Sequence, residues 1–264
     1  MTPETIAFLD SGVGGLPYLA HARRALPHRR FVYVADREHF PYGERDRQSI
    51  IDATVAVTER LIDREHPRLI VVACNTMSVV ALQSLRERFA LPFVGVVPAV
   101  KPAAALSRHR RVGVLATRQT VEGEYLRGLI EQHAVGCSVV SLSSAALVEF
   151  VEKELYRASP SAREQQVSRE VERFLNEDID ALVLGCTHFL HLETEFRRLL
   201  DAKGIRLVDS REGVTRQTVR LLAASDGEPL PRAQDVLYVT GPRPLEESYA
   251  WFAREYGLRL GEAL

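Results

Sequence analysis

The sequence predicts an α/β fold of two pseudo-symmetric lobes. Each lobe is expected to hold a mainly parallel sheet flanked by helices, with the active site in the cleft between them. Three observations carry that expectation. Short apolar runs alternate with helix-like segments from end to end, the rhythm of βαβ units. The pattern restarts after Pro98-Ala99-Val100-Lys101-Pro102. Finally, two of the apolar runs end alike, in Leu69-Ile70-Val71-Val72-Ala73-Cys74-Asn75-Thr76 and Ala181-Leu182-Val183-Leu184-Gly185-Cys186-Thr187-His188.

Taken in order, Ile6-Ala7-Phe8-Leu9 reads as the first strand, followed by a glycine turn and a helix over 16–26. Phe31-Val32-Tyr33-Val34 leads through a loop to a helical pattern over 48–65. The 69–73 strand precedes a helix over 78–89 and the strand Phe93-Val94-Gly95-Val96-Val97. In the second half, strands are expected at 112–115, 138–140, 181–184 and 205–208, with helices at 119–134 and 160–177. A helix at 212–224, a strand at 236–239 and a helix at 244–256 finish the chain. These runs place 1–98 plus 210–264 in the first lobe and 99–209 in the second. The last 50 or so residues are too few for a core of their own and so should return to the first lobe. The two cysteine runs align with each other, and Asp10-Ser11 and Thr117-Arg118 each follow the first strand of a lobe. Duplication of one lobe explains both matches; chance similarity of two apolar strands is the alternative.

Composition narrows the function. A net charge of −1 and scattered arginines give no sign of a nucleic-acid or membrane-surface partner. Arg108-His109-Arg110-Arg111 reads as a solvated loop before a strand. No apolar run approaches the roughly 18 residues needed to span a bilayer. The N-terminal sequence runs into a strand without a signal-peptide pattern, so the cytoplasm is the expected compartment. Three cysteines make a poor disulfide framework, and in a reducing compartment all should be free thiols. Cys137 starts an apolar run with no polar turn behind it and reads as structural. There is no CxxC and no clustered His/Cys spacing, so no metal is expected. Lys101, Lys153 and Lys203 sit in linker or helix surroundings, so no lysine marks a pyridoxal phosphate site.

Three motifs carry chemistry. In Phe8-Leu9-Asp10-Ser11-Gly12-Val13-Gly14-Gly15 the glycines allow a sharp turn and a close approach to a ligand. A phosphate loop would need Lys-Ser/Thr after the last glycine, and Leu16-Pro17 stands there instead. An amino-acid carboxylate or ammonium suits it better; a plain turn with Asp10 as a cap is the alternative. In Asp36-Arg37-Glu38-His39-Phe40-Pro41-Tyr42-Gly43, Pro41 and Gly43 fix a turn whose amides and Tyr42 hydroxyl can meet a ligand, although most such stretches are surface loops. The third motif is the cysteine pair. Each thiol sits at the carboxyl end of a strand, where open α/β sheets bind ligands. Donors follow each sulfur, Asn75-Thr76 in one case and Thr187-His188 in the other. His188 reads either as a surface residue starting a helix or as the partner of Cys186.

FLDSGVGG, the Asp…PYG loop, ACNT and GCTHF, in this order and spacing, resemble glutamate racemase of the Asp/Glu racemase family. The resemblance spans about residues 6 to 224. It implies a cofactor-independent amino-acid racemase (an isomerase) that supplies D-glutamate for peptidoglycan, and suggests a homodimer. Carried onto matching positions, it makes Cys74 and Cys186 the two acid/base thiols, with Cys74 acting on D-glutamate and Cys186 on L-glutamate. Asp10 and His188 would assist them and touch substrate, and Glu152 would be an acidic helper. Ser11, Pro41, Tyr42, Gly43, Asn75, Thr76, Thr117, Thr120 and Thr187 would line the substrate site. Without the resemblance, Glu152 in Leu147-Val148-Glu149-Phe150-Val151-Glu152 reads as a solvated helix face. The chain departs from the family pattern at Leu190-His191, at His39-Phe40 and at Gly123. None of these removes a proton-transfer group.

Two opposed thiols suit a reaction that takes a proton from one face of a carbon and returns one to the other. Without an electron sink, amides and hydroxyls around the α-carboxylate, from Ser11, Asn75, Thr76 and Thr187, must stabilise the developing charge. Competing readings are an aspartate racemase on the same frame, a lyase or hydrolase using Cys186 and His188 alone, and an amino-acid binding protein with incidental thiols.

Overall fold

Parallel strands must be joined by crossovers, and in this chain a helix follows most strands. A computed structural model describes residues 5–222, 234–262 and 264. By its internal contacts the chain divides into one unit over 1–96 and 211–264 and a second over 97–210.

The first unit opens with β1 (Thr5–Asp10), α1 (Leu16–Ala25), β2 (Arg30–Ala35) and α2 (Arg47–Glu65). Next come β3 (Leu69–Val72), α3 (Asn75–Arg88) and β4 (Phe93–Gly95). The second unit holds α4 (Val100–Leu106), β5 (Arg111–Ala116), α5 (Arg118–Glu122), α6 (Glu124–His133), β6 (Ser138–Ser143) and α7 (Ala145–Lys153). It continues through α8 (Pro160–Glu172), β7 (Ala181–Gly185), α9 (Glu193–Asp201) and β8 (Arg206–Val208). The chain then completes the first unit with α10 (Arg211–Leu222), β9 (Val236–Val239), α11 (Glu247–Glu255) and β10 (Arg259–Leu260).

Among the described residues the first sheet has six strands in the order β10-β9-β2-β1-β3-β4, and the second has four in the order β6-β5-β7-β8. All pairings are parallel. Strands β2-β1-β3-β4 and β6-β5-β7-β8 therefore follow the same path: the opening strand lies inside, the second on one side, the third on the other. That reversal makes a switch point between β1 and β3, and another between β5 and β7. In register, Leu9 lies beside Val72 and Ala116 beside Gly185.

Burial on both faces explains the continuous apolar runs. All residues of β1, β3 and β7 are buried. Ala7, Leu9, Val32, Val34, Ile70 and Val72 pack with Ile50, Val57 and Leu61 of α2 and with Met77 and Leu85 of α3. In the second unit Val112, Val114, Ala181 and Val183 pack with Val100, Ala103 and Leu126. Cys137, a free half-buried thiol, packs at the margin of that core.

Several elements differ from the sequence expectation. The Pro98–Pro102 stretch contains the start of helix α4, with Pro102 in its first turn. Proline is tolerated there because first-turn amides have no helical acceptor. The helix expected over 119–134 breaks at Gly123, which takes extended dihedrals (φ −73, ψ 146). The 160–177 pattern is α8 followed by a separate 3₁₀ turn at Leu175–Glu177. Strand β4 stops at Gly95, short of Val96-Val97. The last helix begins at Glu247, after Arg243-Pro244. Of the helix expected over 212–224, positions 223 and 224 lie outside the described residues.

Candidate active site

Cys74 follows β3 and takes an extended conformation at the N-cap of α3, where its sulfur accepts the Met77 N–H at 3.5 Å. The sulfur thus faces the positive end of a 14-residue helix, which favours a thiolate. The Cys74 thiol also lies 3.7 Å from the Ser11 hydroxyl. Ser11 in turn donates to Asp10 Oδ1 through its amide at 2.5 Å and its hydroxyl at 3.1 Å. Asp10 is fully buried at the end of β1, beside β3 at the switch point. It does not cap α1, whose N-cap is Gly15 with no side-chain bond. The Tyr33 hydroxyl lies 3.2 Å from Asp10 Oδ2, donates to the Gly12 carbonyl at 2.9 Å and accepts the Gly15 N–H at 2.9 Å. A Cβ on Gly15 would come within 2.6 Å of the Ala73 Cβ and 2.8 Å of Asp10 Oδ2. The glycine there permits loop, β1 and β3 to meet.

Asn75 stands out. It is 3% exposed, and neither its Nδ2 nor its Oδ1 has a hydrogen-bond partner. An unpaired buried amide costs about 1–3 kcal/mol, so its retention calls for a ligand or an ordered water as partner. Thr76, next along α3, is also buried.

The Pro41–Gly43 turn is held from behind by Asp36. Its carboxylate accepts the Tyr42 hydroxyl at 2.5 Å and the Thr240 hydroxyl at 2.5 Å, and lies 2.9 Å from His39 Nδ1. Burial, then the Asp36 charge and hydrogen bond, push the Tyr42 hydroxyl far above the usual phenol value. Tyr42 is therefore a neutral donor committed to Asp36, and Pro41 and Gly43 flank it half-buried. His39, one of the departures from the family pattern, also sets its ring edge-on to Tyr42. Among the described residues Asp36, Glu38 and His39 bring ligand-type atoms close enough for a metal. The Asp36 oxygens already serve Tyr42, Thr240 and His39, which makes the group a hydrogen-bond hub.

In the second unit Cys186 follows β7 and precedes a 3₁₀ turn, Thr187–Leu192, in which its sulfur caps no amide. His188 supplies what the helix does not. Its Nδ1 is 3.8 Å from Cys186 Sγ and its Nε2 is 2.8 Å from Glu152 Oε1. Burial of His188 pulls its pKa down, but hydrogen bonds and charge from Cys186 and Glu152 outweigh it and hold the imidazole well above its usual value. Glu152, on α7, is 5% exposed and His188 2%. The solvated-face reading of Glu152 and the surface reading of His188 are both overturned, because α7 packs its Glu152 side against the Cys186 turn. Thr187 is buried beside them, and Leu190 and Leu192 turn into the core, which accommodates the Leu190-His191 departure. Thr117 caps α5 through the Thr120 amide at 3.4 Å, and the two hydroxyls lie 3.0 Å apart. They follow β5 at the second switch point.

Each unit thus gathers one thiol with its neighbours: Cys74, Ser11, Asp10 and Asn75 in one, Cys186, His188 and Glu152 in the other. Sequence reasoning assigned no role to Tyr33, which fits an apolar strand, nor to Asp36, named only as the start of a loop. A polar-tipped aromatic inside a buried strand was the available signal for Tyr33.

Residues 15–218 match the family described as Asp/Glu/Hydantoin racemase. The chain belongs to that family. Among its relatives, the glutamate racemase of Pectobacterium atrosepticum is 41% identical over 98% of this chain and 91% of its own length. That of Treponema pallidum is 41% identical over 96% of this chain and 94% of its own. A crystal structure of Escherichia coli glutamate racemase with L-glutamate and the activator UDP-MurNAc-ala superposes with a TM-score of 0.90 at 36% identity, covering 98% of this chain and 97% of that one. The family fold is thus the two-sheet α/β arrangement described above. No helix among the described residues is long and apolar enough to cross a membrane.

Proposed function

We propose that this chain interconverts L- and D-glutamate by proton transfer at Cα between two thiols, Cys74 and Cys186, without a cofactor. The observation that carries the reading is the equivalent placement of the two cysteines, each after the third strand of its sheet at a switch point. Full-length similarity to glutamate racemases supports the substrate.

Starting from D-glutamate, the Cys74 thiolate takes the α-proton and becomes a thiol, while the electron pair of the C–H bond delocalises into the α-carboxylate. The Cys186 thiol then returns a proton to the opposite face, leaving L-glutamate and a Cys186 thiolate. From L-glutamate the roles reverse. The α-proton is far less acidic than a thiol, so the carbanion must be stabilised by preorganised donors. Asn75, Thr76 and Ser11 supply these on the Cys74 side, and Thr187 with Thr117 and Thr120 on the other. The unpartnered amide of Asn75 suits an amino acid, whose carboxylate can accept from Nδ2 and whose ammonium can donate to Oδ1. Asp10 assists Cys74 through Ser11. His188, its pKa held up by Cys186 and Glu152, assists Cys186. The turn at Pro41, Tyr42 and Gly43 presents backbone to the substrate. The same reading places the enzyme in the cytoplasm, supplying D-glutamate for peptidoglycan, with a small-molecule substrate and a homodimeric assembly.

The test is incubation of each glutamate enantiomer in D2O, following optical rotation and deuterium at Cα, with aspartate in parallel. Both Cys74→Ser and Cys186→Ser should abolish loss of optical activity. Near-normal racemisation in either variant would exclude the two-base mechanism, and faster turnover of aspartate would move the substrate.

A further inference from the structure

Tyr33 lies outside every motif, yet its hydroxyl occupies the junction behind the Cys74 side of the site. We infer that Tyr33 is a positioning residue that fixes the Asp10 carboxylate, and through Ser11 the Cys74 sulfur, in the geometry of proton transfer. The inference rests on the racemase reading of Cys74.

The geometry is specific. Tyr33 belongs to β2, which pairs with β1 so that Tyr33 lies next to Phe8 in register, and its side chain is fully buried. Its hydroxyl reaches past the strand end into the glycine loop, accepting the Gly15 N–H and facing two acceptors, the Gly12 carbonyl at 2.9 Å and Asp10 Oδ2 at 3.2 Å. A phenol has one proton to give. Distance favours the carbonyl, and negative charge favours the carboxylate. The hydroxyl therefore ties the Gly12 carbonyl, the Asp10 carboxylate and the Gly15 amide together at one point. The other carboxylate oxygen, Oδ1, takes both Ser11 bonds, and Ser11 Oγ meets Cys74 Sγ. Asp10 is thus held at both oxygens, from β2 on one side and from the loop on the other. Without the hydroxyl the loop would also lose its tie to the Gly15 amide, directly before α1.

A role in packing alone and a role through Asp10 predict different behaviour, and a double-mutant cycle separates them. Tyr33→Phe keeps the ring and removes the hydroxyl. We expect kcat to fall about 10- to 100-fold, as misplaced catalytic groups do, with KM changed less than about 3-fold. In an Asp10→Asn background the same change should cost less than about 3-fold, because the group it positions is gone. The cycle is also read on the rate at which iodoacetamide alkylates Cys74, located by peptide mass spectrometry, with Cys186 in the same molecule as the internal reference. Tyr33→Phe should alter the Cys74 rate and leave Cys186 unchanged. Wild-type kcat in Tyr33→Phe, the same loss with and without Asp10, or equal changes at both cysteines would each overturn the inference. The alkylation arm does not depend on turnover. A wild-type chain that exchanges no α-proton would sink the racemase reading while the Cys74 rates still report whether Tyr33 acts on that thiol.

Discussion

The two cysteine loops begin alike and end differently. Both thiols follow a wholly buried third strand. Cys74 then caps a 14-residue helix, and the Met77 amide meets its sulfur. Cys186 enters a 3₁₀ turn that offers its sulfur no amide, and a buried His–Glu pair stands beside it instead. A helix terminus is a fixed dipole that does not titrate. An imidazole is a charge that can be gained, lost or passed on. Two scaffolds of like strand order can thus tune the same acid/base group by different physics, and the two halves should respond differently to pH and to mutation.

The sharpest way to break the comparison is to remove each sulfur. Cys74→Ser and Cys186→Ser should each slow racemisation about 100- to 10,000-fold, as loss of a general acid or base does. If Cys74→Ser were nearly harmless in polarimetry, the loops would not be equivalent and a Cys186–His188 enzyme would take their place. Glu152→Gln touches only the second loop. Losing its charge should lower the His188 pKa and cut kcat about 10- to 100-fold, while iodoacetamide labelling of Cys186 changes and that of Cys74 does not. Asn75→Ala touches only the first. KM for glutamate should rise roughly 10-fold for a lost bond to a charged group. Without ligand the variant should melt no lower than the parent, because it relieves an unsatisfied buried amide. A clear drop in Tm would mean that Asn75 has a structural partner.

The smallest effect is on the pH dependence of stability. His188 has a raised pKa in the folded state, so its contribution is complete below the ordinary imidazole value and fades as pH rises through the raised one. Above the range where carboxylates protonate, the Tm gap between wild type and His188→Asn should be widest at the acid end and narrow towards alkaline pH. A gap that widens with pH would reverse the assignment. No such trend is expected from Asn75→Ala.

Much of this was readable from residues in sequence. Continuous Val/Ile/Leu runs ending in Cys-Asn-Thr and Cys-Thr-His marked strand ends, and the glycines after Asp10 marked a close turn. Helix α4 escaped because prolines at 98 and 102 read as breakers, although a first-turn proline breaks nothing. Glu152 was legible as chemistry only through the family resemblance. Its surroundings in α7 are those of an ordinary amphipathic helix, and nothing local says that its face turns to the histidine.

The sequence by itself determined the α/β class and the strand ends that carry Cys74 and Cys186, because periodicity and turn chemistry are local properties. Tertiary structure decided what surrounds each thiol. Strand order sets Asp10 beside β3 and Tyr33 behind Asp10, while the packing of α7 carries Glu152 to His188 across 36 residues of chain. Such partnerships depend on which buried polar groups face one another once the sheets form. That pairing is a property of the packed core and not of any short stretch of sequence.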